Sequence, residues 1–492
     1  MPMSEAVRIR ESLGPDARIV FVSGNFNVLH PGHVRVLRFA QELGDYLVVG
    51  LHSDNAPGVD APVSERIEAV SSNRYVSLAF AIDEAIEDVL RNLRPVIVVK
   101  GREHENLLNL ETTILEEIDS KLVFSSGEML RPTSSEMEDE VDPRKPRFLP
   151  DGFMARHDIT MSKLLRTMDQ FQALHVMVIG DLIVDDYIEC DPIGMSQEDP
   201  TLVVSPRDTR RFVGGAGIVA AHGRGLGAQV TFLSVTGKDK IAREISEKIK
   251  NYGVSTILLQ DETRPTTLKQ RFRASGKTLL RVSHLRQHSI SRKLADKMLS
   301  EISNRLSETD LILLSDFSYG CLPDYLVAQI TQIAGDAGVM IAADSQVSSQ
   351  IGDISRFHGV SLITPTELEA RLAVNKDAEN LSVLTEKLLK KVECENIILT
   401  LGSDGVLIRA GNSPASGSLS TDRIHALNSE PKDVAGAGDS LFAMASMALA
   451  VGEDIWTAGL LGSVAAACQV SRVGNKPLRA AEIKQILSTG VS

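Results

Sequence analysis

Short apolar runs alternate with amphipathic stretches along the first part of the chain. Arg18 to Ser23 is apolar at four consecutive positions and runs into a Gly-containing loop, which predicts a strand. Val34 to Leu43 repeats its apolar positions at helical spacing, so a helix follows. Further strands are predicted at Tyr46 to Leu51, Val96 to Val99 and Lys121 to Phe124, with helices at Glu65 to Ser72 and Ile82 to Leu93. Strands separated by helices imply a parallel, doubly wound sheet.

The periodicity fades between Glu136 and Phe153, where EMEDEVDPRKPRFLPDGF combines charge blocks with three prolines. The pattern restarts with a helix at Ser162 to Phe171 and a strand at Val176 to Ile179 that ends at Gly180. Strand and helix signals continue through Leu311 to Leu314, Met340 to Ala343, Ile397 to Thr400 and Leu441 to Val451, without a second linker. The predicted division is a domain over 1–140, a linker over 141–160 and a domain over 161–492. The fold class is therefore α/β, with two doubly wound domains. No sequence repeat relates them, and their common opening, a strand into a Gly loop, is the shared physics of βα units.

Composition narrows the partners. With 43% hydrophobic and 24% charged residues in 492, the chain can bury two large cores. A formal net charge of −13 repels polyanions, so neither nucleic acid nor an anionic membrane is expected, and bound anions should be small and locally held. Cys190, Cys321, Cys394 and Cys468 lie far apart without metal-ligand spacing, as suits a reducing compartment. The start, MPMSEAVRIRESLG, lacks a signal-peptide core, and no apolar run is long enough to span a bilayer, so a cytoplasmic protein is expected.

The stretch GNFNVLHPGH, Gly24 to His33, places His30 and His33 around Pro31 and Gly32, between a strand and a helix. A helix N-terminus offers N–H groups and the positive dipole end, Gly32 admits a phosphate close to the backbone, and two imidazoles add donors for charge developing at phosphorus. Attack on a nucleotide α-phosphate suits this arrangement. The alternatives are a zinc pair, for which no third ligand stands nearby, or ordinary surface histidines. The stretch, with its Gly24, Asn25 and Phe26, resembles the GxFxxxHxGH signature of the cytidylyltransferase-like nucleotidylyltransferases, and VGLHSD (49–54), Glu65-Arg66, Asn73 to Val76, VKGR (99–102) and PTSS (132–135) follow in that family's order. The resemblance implies that His30 and His33 stabilise the transition state, that Lys100 and Arg102 lie near substrate or nucleotide, and that Thr133, Ser134 and Ser135 cap a helix holding pyrophosphate. Taken singly, Lys100 reads equally as a solvated strand end and the Thr-Ser-Ser run as a plain N-cap. Asn27 stands where most relatives carry Asp, and the loop Asn55 to Pro62 lacks the basic residues often found there.

The second motif is DVAGAGDS, Asp433 to Ser440, ahead of a helix rich in small residues. Gly436, Ala437 and Gly438 can present N–H groups to a transferring γ-phosphoryl, and Asp439 can accept the proton of an attacking hydroxyl. The motif resembles the signature of the ribokinase-type (PfkB) carbohydrate kinases. By that resemblance Asp181 and Asp185 of GDLIVDDY bond sugar hydroxyls, and GGAG, with Gly214 and Gly215, forms the second sugar-contacting loop. Glu369 of TPTELE holds Mg²⁺ through water, TLGSDGV with Gly402 and Gly405 is the nucleotide turn, and SRVG (471–474) lies beside the adenine site. Ile218 and Thr366 replace residues that are commonly Asn in this family, and Val434 replaces a Thr.

The pairing resembles the bifunctional heptose 7-phosphate kinases and heptose 1-phosphate adenylyltransferases, with GMSQEDPTLVV (194–204) and LILLSDFSYG (311–320) carrying the likeness and the domain order reversed. It implies ATP and Mg²⁺ at the kinase, ATP or CTP at the transferase, a sugar phosphate substrate and a homodimer. Two alternatives stand beside it. One is a kinase and cytidylyltransferase for another sugar or polyol phosphate. The other is a non-catalytic sugar-phosphate sensor, against which His30, His33 and Asp439 argue.

Overall fold

An apolar run such as Ile19 to Val22 needs cover on both faces, and it occupies the middle of a sheet. The computed structural model describes residues 5–14, 17–27, 29, 31–56, 59–101, 112–125, 149–196, 198–199, 201–274, 277–346, 352–374, 381–411, 421–428 and 431–489. They form two compact units, one of Met1–Pro146 with Lys376–Lys387 and Asn412–Asp422, the other of Arg147–Asn375, Leu388–Gly411 and Arg423–Ser492.

The first unit runs α1 (Glu5–Leu13), β1 (Ile19–Gly24), α2 (Pro31–Gln41), β2 (Tyr46–His52), α3 (Val63–Ser71), β3 (Leu78–Ile82), α4 (Ile86–Leu93), β4 (Ile97–Gly101), α5 (Thr112–Glu117) and β5 (Lys121–Ser125). Its sheet is parallel, in the order β3-β2-β1-β4-β5. Alternate residues of β1 serve opposite layers, as the period of two requires. Val20 and Val22 pack with Leu37 and Ala40 of α2, and Ile19 and Phe21 with Ile9 of α1 and Leu90 of α4. The strand order reverses between β1 and β4, so the crevice beyond their carboxyl ends is where such a sheet binds ligands. The predicted helix from Ile82 to Leu93 begins only at Ile86, because Leu78 to Ile82 pairs with β2 as a strand.

The second unit contains α6 (Asp151–Arg156), α7 (Met161–Gln170), β6 (His175–Gly180), β7 (Leu182–Met195), β8 (Leu202–Gly215), α8 (Ala216–Gly225), β9 (Gln229–Thr236), α9 (Lys240–Asn251), β10 (Ser255–Gln260), β11 (Leu268–Ala274) and β12 (Lys277–His284). It continues with α10 (Arg292–Ser303), β13 (Leu311–Asp316), α11 (Asp324–Ala337), β14 (Met340–Ser345), β15 (Leu362–Ile363), α12 (Glu367–Val374), the part from Leu388 of α13 (Leu381–Val392), β16 (Asn396–Thr400), β17 (Val406–Ala410), the part from Arg423 of β18 (Thr421–Ile424), α14 (Ala437–Ala450), α15 (Ile455–Val470) and α16 (Ala480–Thr489). The main sheet has the order β10-β9-β6-β13-β14-β15-β16-β17-β18 and is parallel from β10 to β16. Chain order reverses between β6 and β13, which marks the ligand crevice. Every residue from Asp439 to Ala448 of α14 is buried, consistent with a helix apolar or small on all sides.

A second sheet, β12-β11-β7-β8, was not anticipated from the sequence. The chain passes straight from β6 through Asp181 into β7, so GDLIVDDY belongs to two strands in two sheets rather than one. The linker was expected over 141–160. Residues 141–148 lie outside the description, but Leu149, Phe153 and Ile159 are buried in the core of the second unit, and His157 stacks on Trp456 at 4.2 Å. Prolines and charges dominated that reading, whereas a few apolar side chains suffice to dock a short helix.

A Cβ on Gly180 would lie 1.8 Å from the Ser315 carbonyl oxygen, whereas one on Gly335 in α11 would meet nothing within 4 Å. Gly180→Ala should therefore destabilise the second unit by about 1–3 kcal/mol through overpacking, and Gly335→Ala should stabilise it by about 0.5–1 kcal/mol through helix propensity. Urea unfolding of the full chain, followed by Trp456 fluorescence, measures both signs.

Candidate active sites

At the carboxyl end of β1 the chain enters the loop of the histidine motif with Phe26 at φ +49, a left-handed conformation unusual for a bulky residue. Its ring is buried and tilted over the His33 imidazole at 5.0 Å, so backbone strain and ring packing together set the His33 position. A Cβ on Gly24 would approach the Phe26 ring at 3.1 Å, which accounts for glycine there. Asn25 Oδ1 lies 2.8 Å from His52 Nδ1, joining the ends of β1 and β2. Lys100 sits near the end of β4, in register with Phe124 of β5, on the same carboxyl edge. Gly32 falls in the first turn of α2. His30, Arg102, Thr133, Ser134 and Ser135 lie outside the described residues.

Arg66, cited above only as part of a supporting segment, organises this edge. It is the largest fully buried side chain among the described residues. Its guanidinium donates to Ala61 O at 2.7 Å, Asn25 O at 2.8 Å, His52 O at 2.9 Å and Asp54 Oδ1 at 2.8 Å. One cation thus ties the β1 loop, the end of β2 and the loop before α3. Asn27 pairs with the loop residue Asp60 through Asp60 N at 3.0 Å and its own Nδ2 at 3.3 Å.

In the second unit Asp439 lies in the first turn of α14, behind Gly436 at φ +78. A Cβ on Gly436 would strike Asn475 Oδ1 at 2.3 Å, while one on Gly438 would meet nothing within 4 Å, leaving the front of the helix start open. Ala437 opens the helix between them. Asp433 holds the loop by accepting from Ala435 N at 3.1 Å, Gly474 N at 2.9 Å and Tyr187 Oη at 3.3 Å, which brings SRVG and the second sheet to the phosphate motif.

Burial pushes the Asp439 carboxyl up to about 7, with Asp185 adding to the rise while Gln346 and Lys269 oppose it. Asp185 is buried on β7, and Arg271 reaches it at 3.5 Å. Its carboxyl is raised by burial and drawn back by Arg271, Lys269 and Arg281. A Cβ on Gly214 would lie 2.3 Å from Asp185 Oδ2, and one on Gly215, at φ +59, would lie 2.4 Å from Asp181 O. The two glycines let β8 close over these acids. Gly402 and Gly405 bound a tight turn with φ of +60 and +89, and a Cβ on Gly405 would sit 2.0 Å from Ile424 O.

Two of the motif acids are bonded to the backbone. Asp181, expected with Asp185 to bond sugar hydroxyls, spends its carboxylate on the backbone: Oδ2 accepts from Phe317 N at 2.9 Å and Tyr319 N at 3.3 Å, and Oδ1 from Cys321 N at 3.2 Å. It is a clamp across β6 and β13. Glu369 closes a reciprocal cap with Thr366, accepting from Thr366 N at 2.7 Å while Thr366 Oγ1 accepts from Glu369 N at 3.3 Å. One buried carboxylate suits a hydrated Mg²⁺ rather than an all-protein cage, and no group of three or more His, Cys, Asp or Glu among the described residues could hold a metal.

Sequence reasoning missed Lys269 and Arg271. The run LKQRFRA carries basic residues at every second position, which places Lys269, Arg271 and Arg273 on one face of β11. Lys269 is buried, with its ammonium 5.6 Å from the Phe317 ring and 5.2 Å from the Tyr319 ring.

Since Arg66 satisfies several buried carbonyls at once, Arg66→Met should lower the stability of the first unit by about 2 kcal/mol or more. Hydrogen exchange should show the loss in β1 and β2, with protection in β6 and β13 unchanged.

Residues 21–145 match the family model described as cytidylyltransferase-like. "Bifunctional protein HldE" of Desulfatibacillum aliphaticivorans is 32% identical over 319 residues, covering 64% of this chain and 63% of the relative. Its namesake in Campylobacter fetus subsp. fetus is 30% identical over 323 residues, covering 64% and 67%. The chain thus spans just under two thirds of the length of the first. Phosphofructokinase-2 from Escherichia coli, solved with substrates and products, superposes with a TM-score of 0.53 at 13% identity over 65% of this chain and 99% of that one. Ribokinase from Giardia lamblia gives 0.51 at 21% identity over 64% and 99%, so both show the fold. No described helix is long and apolar enough to cross a membrane. The buried acid at the start of α14, the glycines of β8 and a match to the pfkB family carbohydrate kinase model over residues 173–479, more than half of the chain, place the protein in that family.

Proposed function

We propose that the chain is a bifunctional transferase whose second unit phosphorylates a sugar phosphate at its anomeric hydroxyl and whose first unit joins the product to a nucleotide. The carrying observation is the buried Asp439 at the open start of α14, within electrostatic reach of Asp185. Asp185 accepts from the sugar hydroxyls, Asp439 takes the proton of the attacking one, and the N–H groups of Gly436, Ala437 and Gly438 receive the γ-phosphoryl. Lys269, Arg271 and Arg281 around Asp185 favour a substrate that already carries a phosphate. The turn of Gly402 and Gly405 would hold ATP, and Glu369 would hold Mg²⁺ through water, which would supply neutralisation of phosphate charge.

In the first unit His33, with His30, donates to the α-phosphate as pyrophosphate leaves. The resemblance set out above favours heptose 7-phosphate as substrate and an ADP-heptose as product, with CTP the alternative nucleotide.

Mass spectrometry of products from heptose 7-phosphate, other sugar phosphates, ATP, CTP and Mg²⁺ tests the whole reading. A 1,7-bisphosphate is expected first and, with or without removal of the 7-phosphate, a nucleotide-sugar second. Formation of neither would end it. Asp439→Asn should lower kinase turnover at least ~10²-fold while ATP still binds. Because a base must be ionised and burial raises this one to about 7, wild-type kcat/KM should fall as pH drops below about 7. His33→Ala should cost on the order of 10²-fold in nucleotidyl transfer and leave the kinase rate unchanged.

A further inference from the structure

Gln346 follows the last residue of β14, beyond the buried Asp344. Its amide nitrogen is 2.9 Å from Asp439 Oδ1 and 3.2 Å from Asp344 Oδ2, so its two N–H groups serve two carboxylates at once. Asp344 is itself fixed from the other side, accepting from Thr364 Oγ1 at 2.8 Å. The result is a chain of side chains running from Thr364 through Asp344 and Gln346 to Asp439. An amide cannot give up its protons at neutral pH, so the link orients Asp439 without taking a proton from it or supplying one.

We propose that Gln346 is a positioning residue for phosphoryl transfer: anchored by Asp344, it aims one N–H at Asp439 Oδ1 and holds that carboxylate ionised, leaving Oδ2 to take the sugar hydroxyl's proton.

The groups facing Asp439 come from three other elements. Asp185 on β7 opposes its ionisation, Lys269 on β11 favours it, and Gln346 beyond β14 favours it as a donor. Asp344 is pushed up to about 8 by burial and by the charges of Glu369 and Asp439, with Thr364 and Gln346 opposing. A buried acid with a like charge nearby needs a donor to stay ionised, and a donor to a charged partner is the stronger kind of hydrogen bond. Gln346 supplies that donor to Asp439 from its side-chain amide. It belongs to none of the sequence motifs, and it depends on the kinase reading but not on the identity of the sugar.

The test compares Gln346→Leu with Gln346→Lys in the full-length chain. Leu removes the donor, so the acid limb of kcat/KM should move up by about one pH unit, a tenfold loss of rate below the limb. Lys keeps a donor and adds a charge, so the limb should move down. The same shifts should appear directly in the ¹³C titration of the Asp439 carboxyl, assigned by its disappearance in Asp439→Asn, with no substrate present. A merely structural role predicts that both variants lose rate without moving either titration. Unmoved titrations, or movement in the same direction for Leu and Lys, would overturn the proposal. If the wild-type enzyme phosphorylates none of the sugar phosphates, the functional reading fails instead, and the carboxyl titration still decides whether Gln346 tunes Asp439.

Discussion

The kinase unit depends on one buried carboxylate at the point where its sheet reverses. Asp181 follows β6 directly and receives three backbone N–H groups from the loop after β13. Those donors would otherwise be buried without partners, and the acid would otherwise be an uncompensated charge, so each removes a penalty of the other. Burial and the nearby Asp316 push the Asp181 carboxyl up to about 6 even so. Asp316 in turn is held by Arg356 at 2.9 Å and by Ser345 Oγ at 3.1 Å. The clamp therefore continues as a polar network from β6 through β13 to β14, whose end carries Asp344 and Gln346. Gln346 N donates to Asp316 O at 2.9 Å, so the network reaches the residue whose side chain donates to Asp439 Oδ1.

The second sheet rests on a different physical basis. Its strands expose much of one face, and β12 is largely exposed. Charges organise it. Arg211 is bidentate to Asp186 at 2.7 and 2.8 Å, and Arg273 and Arg210 approach Glu189 at 3.3 and 3.5 Å. Such pairs contribute little stability when solvated, but they fix register between strands that have few apolar neighbours. Towards the crevice the balance shifts, because Asp185 lies within reach of Lys269, Arg271 and Arg281 together. Positive charge accumulates around Asp185.

These contrasts explain what could be read from the residues alone. β1 and α14 were legible as runs of apolar or small residues, because burial on all sides admits few polar interruptions, and α2 because one buried face imposes a helical period. β3 was hidden by the apolar positions that follow it, which extend a helical pattern backwards from Ile86. The β7 and β8 hairpin was not legible, since VSPRDTRR carries no alternation that a core would impose. Motif residues such as Asp439, Gly214 and Gly436 stood out through their resemblance to the kinase signature segments. Arg66, Lys269 and Gln346 act through partners distant in sequence, and spacing holds no record of those. Asp181 shows the converse: a motif position whose contacts are with the backbone.

The departures from the kinase family pattern are not equivalent once placed in the fold. Ile218 is fully buried in α8, just beyond the glycines of β8. An amide there without a partner would cost more than isoleucine, so the apolar residue is consistent with local packing. Thr366 keeps a hydroxyl that caps α12 and locks Glu369, preserving a polar role with a shorter side chain. Val434 is 72% exposed on the loop between Asp433 and Gly436, where no packing demands a branched apolar residue. The first two changes are absorbed by their surroundings, while the third alters the surface beside the phosphate motif. Isoleucine at position 218 offers no hydrogen-bonding side chain, whereas the face of β11 beside Asp185 carries Lys269 and Arg271.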